Sequence, residues 1–169
     1  MSILVLLATT CLSPISVDRG TITSTYGWRI LPGQIEKSIH VGVDIRARLR
    51  EPIRSVTWGE VIFASQDLQG SGGIMIEILF LELGVPTVVR YAHLNKVNVA
   101  VGDKVKRNQI IGTVGSTGNS TGPHLHIEVI TETNGRIRSY TNPERFLCKY
   151  KRDIQIPHFK ITSKLKLEK

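Results

Sequence analysis

Residues 122–130 read Gly122-Pro123-His124-Leu125-His126-Ile127-Glu128-Val129-Ile130, and their alternation decides the fold class. In a strand, residues two apart share a face. His124, His126 and Glu128 then line one face, and Leu125, Ile127 and Val129 line the other. The apolar side is built to pack on a core, while the polar side carries two imidazoles and a carboxylate. A second stretch, Ile39-His40-Val41-Gly42-Val43-Asp44-Ile45, alternates in the same way. Its spacing predicts one continuous strand with His40, Gly42 and Asp44 on one face. Only a glycine hydrogen would separate the imidazole from the carboxylate, leaving room for an ion that both can reach. A helix also aligns residues four apart, but Gly42 and two valines make it the poorer choice.

Outward from these two stretches the pattern repeats. Short runs rich in β-branched residues occur at 20–25, 53–56, 59–64, 74–80, 87–92 and 109–114. Gly, Pro, Asn and Asp punctuate them, as at Pro32-Gly33, Gly102-Asp103 and Asn134-Gly135. Strands at this spacing predict a mainly β fold of two antiparallel sheets, a sandwich or half-barrel. No window sustains a helical period. One short helical turn is expected at 142–147, with Asn142 as its cap and Pro143 at its first position.

The chain has 169 residues, 41% hydrophobic and 21% charged, which is the composition of one globular domain and not of a disordered chain. The longest apolar run, from Ile3 to Ala8, is far short of the ~20 residues of a membrane-spanning helix. Two cysteines, Cys11 and Cys148, with no CxxC pair, exclude a disulfide framework and a cysteine-rich zinc fold, and they read as free thiols. Between Lys149 and Lys169 lie seven basic residues and two acidic ones, so most of the net charge of +8 sits in the tail. The expected organisation is an N-terminal segment, 1–19, a β domain, 20–148, and a basic extension, 149–169. The extension suits an anionic partner or a plain solvated end. The first segment is apolar but lacks a basic start, so it reads as a buried first strand or as a weak, incomplete export signal.

Four of the five histidines fall in three settings: His40 near Asp44, His124 with His126, and His93 in Arg90-Tyr91-Ala92-His93-Leu94 at the end of an apolar strand. Imidazole and carboxylate ligands without cysteine suit catalytic Zn²⁺, which takes three protein ligands and leaves a position for water. His40, Asp44 and one of His124 or His126 would make such a set. The surplus imidazoles would serve proton transfer or an oxyanion. The same set also suits Fe(II), so spacing alone does not choose the metal.

The motifs Ser24-Thr-Tyr-Gly-Trp-Arg29, His40-Val-Gly-Val-Asp44, Tyr91-Ala-His-Leu94 and Gly115-Ser-Thr-Gly-Asn-Ser-Thr-Gly-Pro-His-Leu-His126 resemble those of the lysostaphin-type (LytM-like) zinc endopeptidases. These enzymes cut peptide bonds in the stems or cross-links of bacterial peptidoglycan. The resemblance implies a LytM-like fold over about residues 22–147 and one Zn²⁺ held by His40, Asp44 and His126. It implies His93 and His124 as catalytic histidines, peptidoglycan as partner and the cell envelope as location. The chain departs from the family pattern in three places: Ser38, where Arg is usual; a charged loop at 47–53; and an unusually apolar hairpin at 79–87.

Other residues bear on substrate or support. Glu128 suits a hydrogen bond to a ligand or a cross-strand pair with Lys or Arg. Tyr91 is a weak candidate for substrate or support, and Trp28 lines the groove or caps the core. Arg48, Arg50 and Arg54 suit the carboxylates of a peptidoglycan stem or plain surface charge. The loop 115–122 has the glycines of a phosphate loop but no GKS/T, so nucleotide binding is not expected. Residues 101–112 resemble a biotinyl or lipoyl carrier half-barrel, but the lysine such a domain needs does not follow. A non-catalytic or latent LytM-like module that binds the wall or activates another hydrolase is the remaining alternative.

Overall fold

The computed structural model describes residues 13–15, 22–30, 33, 35–133 and 137–147. Twelve strands make up nearly all regular structure: β1 (Ile22–Ser24), β2 (Gly27–Ile30), β3 (Lys37–His40), β4 (Gly42–Arg46), β5 (Pro52–Arg54), β6 (Gly59–Gln69), β7 (Gly73–Glu82), β8 (Val85–Val97), β9 (Lys104–Val105), β10 (Ile110–Val114), β11 (His124–Thr133) and β12 (Ile137–Thr141). All pairings are antiparallel. There are two sheets, as expected, of very unequal size. The larger has ten strands along the path β1-β4-β11-β8-β7-β6-β9, with β5, β10 and β12 branching from it; the smaller is the β2–β3 ribbon. The larger sheet is open, because its path has two free ends.

The alternation read from sequence is what the sheet buries. Leu125, Ile127 and Val129 of β11 are fully buried and pack with Val43 and Ile45 of β4 and Tyr91 of β8. Burying each such side chain contributes about 1.5–3 kcal/mol. Ile15, ahead of the strands, is buried in the same core, and Pro14 accepts the Arg54 amide at 2.9 Å. The short helical turn is present as a 3₁₀ turn, Pro143–Phe146, and the Asn142 side chain accepts the Glu144 amide at 2.9 Å.

Three expectations are corrected. The run 39–45 is not one strand: β3 ends at His40, β4 begins at Gly42, and the two belong to different sheets. The apolar strand expected to end near His93 continues to Val97. Tyr91 does not face substrate. Its side chain is wholly buried and its hydroxyl accepts the Val56 amide at 2.9 Å, and burial raises its pKa to about 12. The apolar run from Ile3 to Ala8, Cys11, Cys148 and the basic extension lie outside the described residues.

Candidate metal centre

β4, β11 and β8 are neighbours, and their polar faces form the floor of the site. Asp44 stands opposite His126, and Gly42 opposite Glu128; on the other side of β11, Ala92 faces His126 and Arg90 faces Glu128. Gly42 does not leave a hole for an ion. A Cβ there would lie 2.6 Å from Cε1 and Nε2 of His126. The missing side chain makes room for that imidazole.

Three donor atoms converge. His126 Nδ1 lies 2.7 Å from Asp44 Oδ1. His40 Nε2 lies 3.3 Å from the same oxygen and 3.2 Å from His126 Nδ1. A tetrahedral ion with ligand bonds of about 2.0 Å needs donor separations of about 3.3 Å; the sides of 3.2 and 3.3 Å match zinc, and the 2.7 Å side is shorter. Among the described residues, His40, Asp44 and His126 are the group that could hold a metal.

The outer ring nitrogens are also engaged. His40 Nδ1 faces the Thr25 carbonyl at 2.9 Å, and His126 Nε2 faces Glu128 Oε1 at 3.1 Å. Donating from these nitrogens leaves His40 Nε2 and His126 Nδ1 as lone pairs aimed at each other and at a carboxylate. A cation is what relieves three lone pairs converging in this way. Without one, a proton takes its place. Burial disfavours the charged imidazole of His126, but hydrogen bonds to Asp44 and Glu128 outweigh it and raise its pKa to about 9. Asp44 is pulled well below the usual carboxylate range: burial opposes ionisation, and His126 and His40 overcome it.

His93 and His124 complete the cluster. Their rings lie 4.7 Å apart, and His93 is 5.6 Å from the His126 ring. His124 Nδ1 faces the Gly122 carbonyl at 2.8 Å, and its Nε2 is 3.7 Å from Asp44 Oδ1. His93 Nδ1 faces the Thr117 carbonyl at 2.8 Å. Burial, reinforced by His124 and His126, holds His93 below the usual histidine range against the pull of that carbonyl. Strict alternation after Arg90 and Ala92 would send His93 to the core. A bulge prevents this. Tyr91 and Leu94 face Ile76 and Ile74, so β8 has one extra residue here, and His93 adopts φ 62°. A bulge re-aims a side chain in this manner, and histidine tolerates the left-handed region better than most residues.

The sequence left several supporting groups unassigned. Arg90 bonds Glu77 Oε1 at 2.6 Å and Glu128 Oε2 at 2.7 Å from a position between them on adjacent strands. Glu128 therefore does both things expected of it, bonding His126 and pairing with an arginine. Burial works against its charge, but His126 and Arg90 prevail and lower its pKa. Thr117 ties the glycine-rich loop to the sheet, accepting the Ile74 amide at 3.0 Å and donating to the Leu94 carbonyl at 2.8 Å. Ser38 sits directly across from Arg29, whose guanidinium bonds Ser24 and lies 3.8 Å from Asp44 Oδ2. A signal for Arg90 was present in principle, since a charge inside an apolar strand needs partners.

Trp28 does not cap the core. It is 70% exposed, and alternation in β2 puts it on the face of the ribbon opposite Arg29. Arg48 and Arg50 are exposed, and Arg54, half-buried, donates to the Asn108 carbonyl at 3.0 Å.

Residues 38–139 match peptidase family M23. Glycyl-glycine endopeptidase ALE-1 of Staphylococcus capitis is 40% identical over 108 residues, which is 64% of this chain and 29% of that protein. This chain thus spans less than a third of that relative's length. The catalytic domain of lysostaphin from Staphylococcus simulans superposes with a TM-score of 0.62 at 35% identity, covering 75% of this chain and 91% of that one. A zinc-containing peptidase from Vibrio cholerae gives a TM-score of 0.64 at 30% identity, over 76% of this chain and 37% of that one.

Proposed function

The chain belongs to peptidase family M23, and from that membership and the geometry of its site we propose that it is a zinc-dependent endopeptidase of peptidoglycan. The observation that carries the reading is the donor triangle of His40, Asp44 and His126, 2.7–3.3 Å on each side, with two further imidazoles beside it. His40 Nε2, Asp44 Oδ1 and His126 Nδ1 would hold one Zn²⁺. Bound there, zinc supplies a Lewis acid for the scissile carbonyl and lowers the pKa of its water.

The chain's own residues do the rest. Thr25 and Glu128 fix the orientation of the two ligand imidazoles. His93, kept neutral by its burial, is suited to accept a proton from the attacking water through Nε2. His124, with Nδ1 held by the Gly122 carbonyl, presents Nε2 to the oxyanion that develops on the substrate carbonyl. The bond cut would lie in a stem peptide or a cross-link; the staphylococcal relative is named a glycyl-glycine endopeptidase. Activity on the wall implies a location in the cell envelope; among the described residues, no helix is long and apolar enough to cross a membrane.

The test is incubation of the purified chain with peptidoglycan sacculi, with and without a chelator. Chelator-sensitive release of muropeptides, restored by zinc, supports the reading, and product masses name the bond. Zinc binding without release from any wall type would favour the non-catalytic wall-binding or activating module.

A further inference from the structure

Arg46 ends β4 on the same face as Asp44, directly across from His124. Its side chain is exposed, and among the described residues it has no hydrogen-bond or ion-pair partner. The carboxylates that might pair with it are occupied. Asp44 is bonded to His126 and lies 3.3 Å from His40. Glu128 is held by Arg90 and His126. Glu51, in the following loop, accepts the Arg48 amide at 2.9 Å. Arg48 and Arg50, in the turn that follows β4, are exposed as well.

An exposed arginine of this kind contributes little to folding. Its position gives it another use. Side chains directly opposite on antiparallel strands have Cβ atoms about 5 Å apart. A guanidinium beside His124 therefore reaches about one or two residues along an extended peptide from the bond that His124 serves. Its fork of donors matches a carboxylate in a bidentate geometry.

We propose that Arg46 is a substrate-binding residue that selects peptides carrying a free carboxylate within one or two residues of the scissile bond. This rests on the endopeptidase reading of the site, and the experiment separates the two. The probes are a synthetic stem pentapeptide with free carboxylates and the same peptide with every carboxylate amidated. Binding is measured on the zinc-loaded full chain carrying His93→Ala, so that no bond is cut, with Arg46 intact or replaced. With Arg46 intact, the free-carboxylate peptide binds about tenfold more tightly, as expected for a charge-assisted hydrogen bond. The preference disappears in Arg46→Ala, persists in part in Arg46→Lys and reverses in Arg46→Glu, while zinc content stays at one per chain. Equal binding of the two peptides, a preference that survives Arg46→Ala, or no binding of either peptide overturns the proposal. If the preference is found but the unmodified chain cuts neither peptide nor sacculi, the endopeptidase reading fails and the role of Arg46 stands. If both peptides are cut but bind alike, the reverse holds.

Discussion

Gly42 lies beneath the imidazole of His126, so close that a methyl group on its Cα would come within 2.6 Å of the ring and 2.5 Å of the Ile127 carbonyl oxygen. The glycine is needed for proximity, since its φ is unremarkable. Gly42→Ala must push His126 out of the donor triangle or prise β4 from β11. Zinc affinity should fall at least about 100-fold, the upper range for losing support of a metal ligand. Stability should fall by about 1–3 kcal/mol, as in overpacked cores. Metal titration and urea unfolding check both.

Zinc uptake should expel a proton. In the ion-free chain His126 has its pKa raised to about 9, so it is protonated at pH 7, whereas a ligand imidazole must be neutral. Calorimetry in buffers of different ionisation enthalpy should therefore count about one proton released per zinc at pH 7. Apparent affinity should rise about tenfold per pH unit up to pH 9 and level off above it. For the ion-free chain the sign is opposite. A raised histidine pKa stabilises the fold below its unfolded value of 6.5, and that contribution is lost as pH rises through about 9.

Arg90 joins Glu77 to Glu128 across three strands, and both carboxylates are buried. Arg90→Met takes away the cation that the two buried carboxylate charges share and should cost about 3–5 kcal/mol. Adding Glu77→Gln and Glu128→Gln removes those charges and should recover most of that stability. Zinc affinity should not recover fully, because glutamine is a weaker acceptor for the Nε2–H of His126. Denaturant unfolding and metal titration of the three proteins read these separately.

Tyr91→Phe removes one buried hydrogen bond, to the Val56 amide. It should cost about 1–3 kcal/mol, the penalty for leaving a buried donor unpaired. Zinc content and hydrolysis should be unchanged, since the hydroxyl points into the core. A loss of hydrolysis with zinc and stability intact would restore a substrate role to Tyr91.

The fold class and the site were legible for the same reason. Period-two alternation at 124–129 places Leu125, Ile127 and Val129 in the core and His124, His126 and Glu128 at the site without further information. The motif resemblance, not the spacing, chose His126 over His124 as the candidate ligand, and the structure brings His126 closer to Asp44. What alternation could not give were departures from it. The break at Val41 and the bulge before Leu94 each interrupt a regular strand, and the bulge is what brings His93 into the cluster. The partners of Arg90 were illegible because Glu77 and Glu128 are 13 and 38 residues away in sequence. The role of Gly42 was misjudged because the ring it accommodates comes from another strand.

The histidines divide the labour proposed here: His126 holds the metal, and His124 serves the reaction. Zinc content and muropeptide release should be measured together for the unmodified chain, His124→Ala and His126→Ala. One zinc and release are expected for the first, zinc without release for the second, and neither for the third. Retention of zinc and of release in His126→Ala would contradict this division.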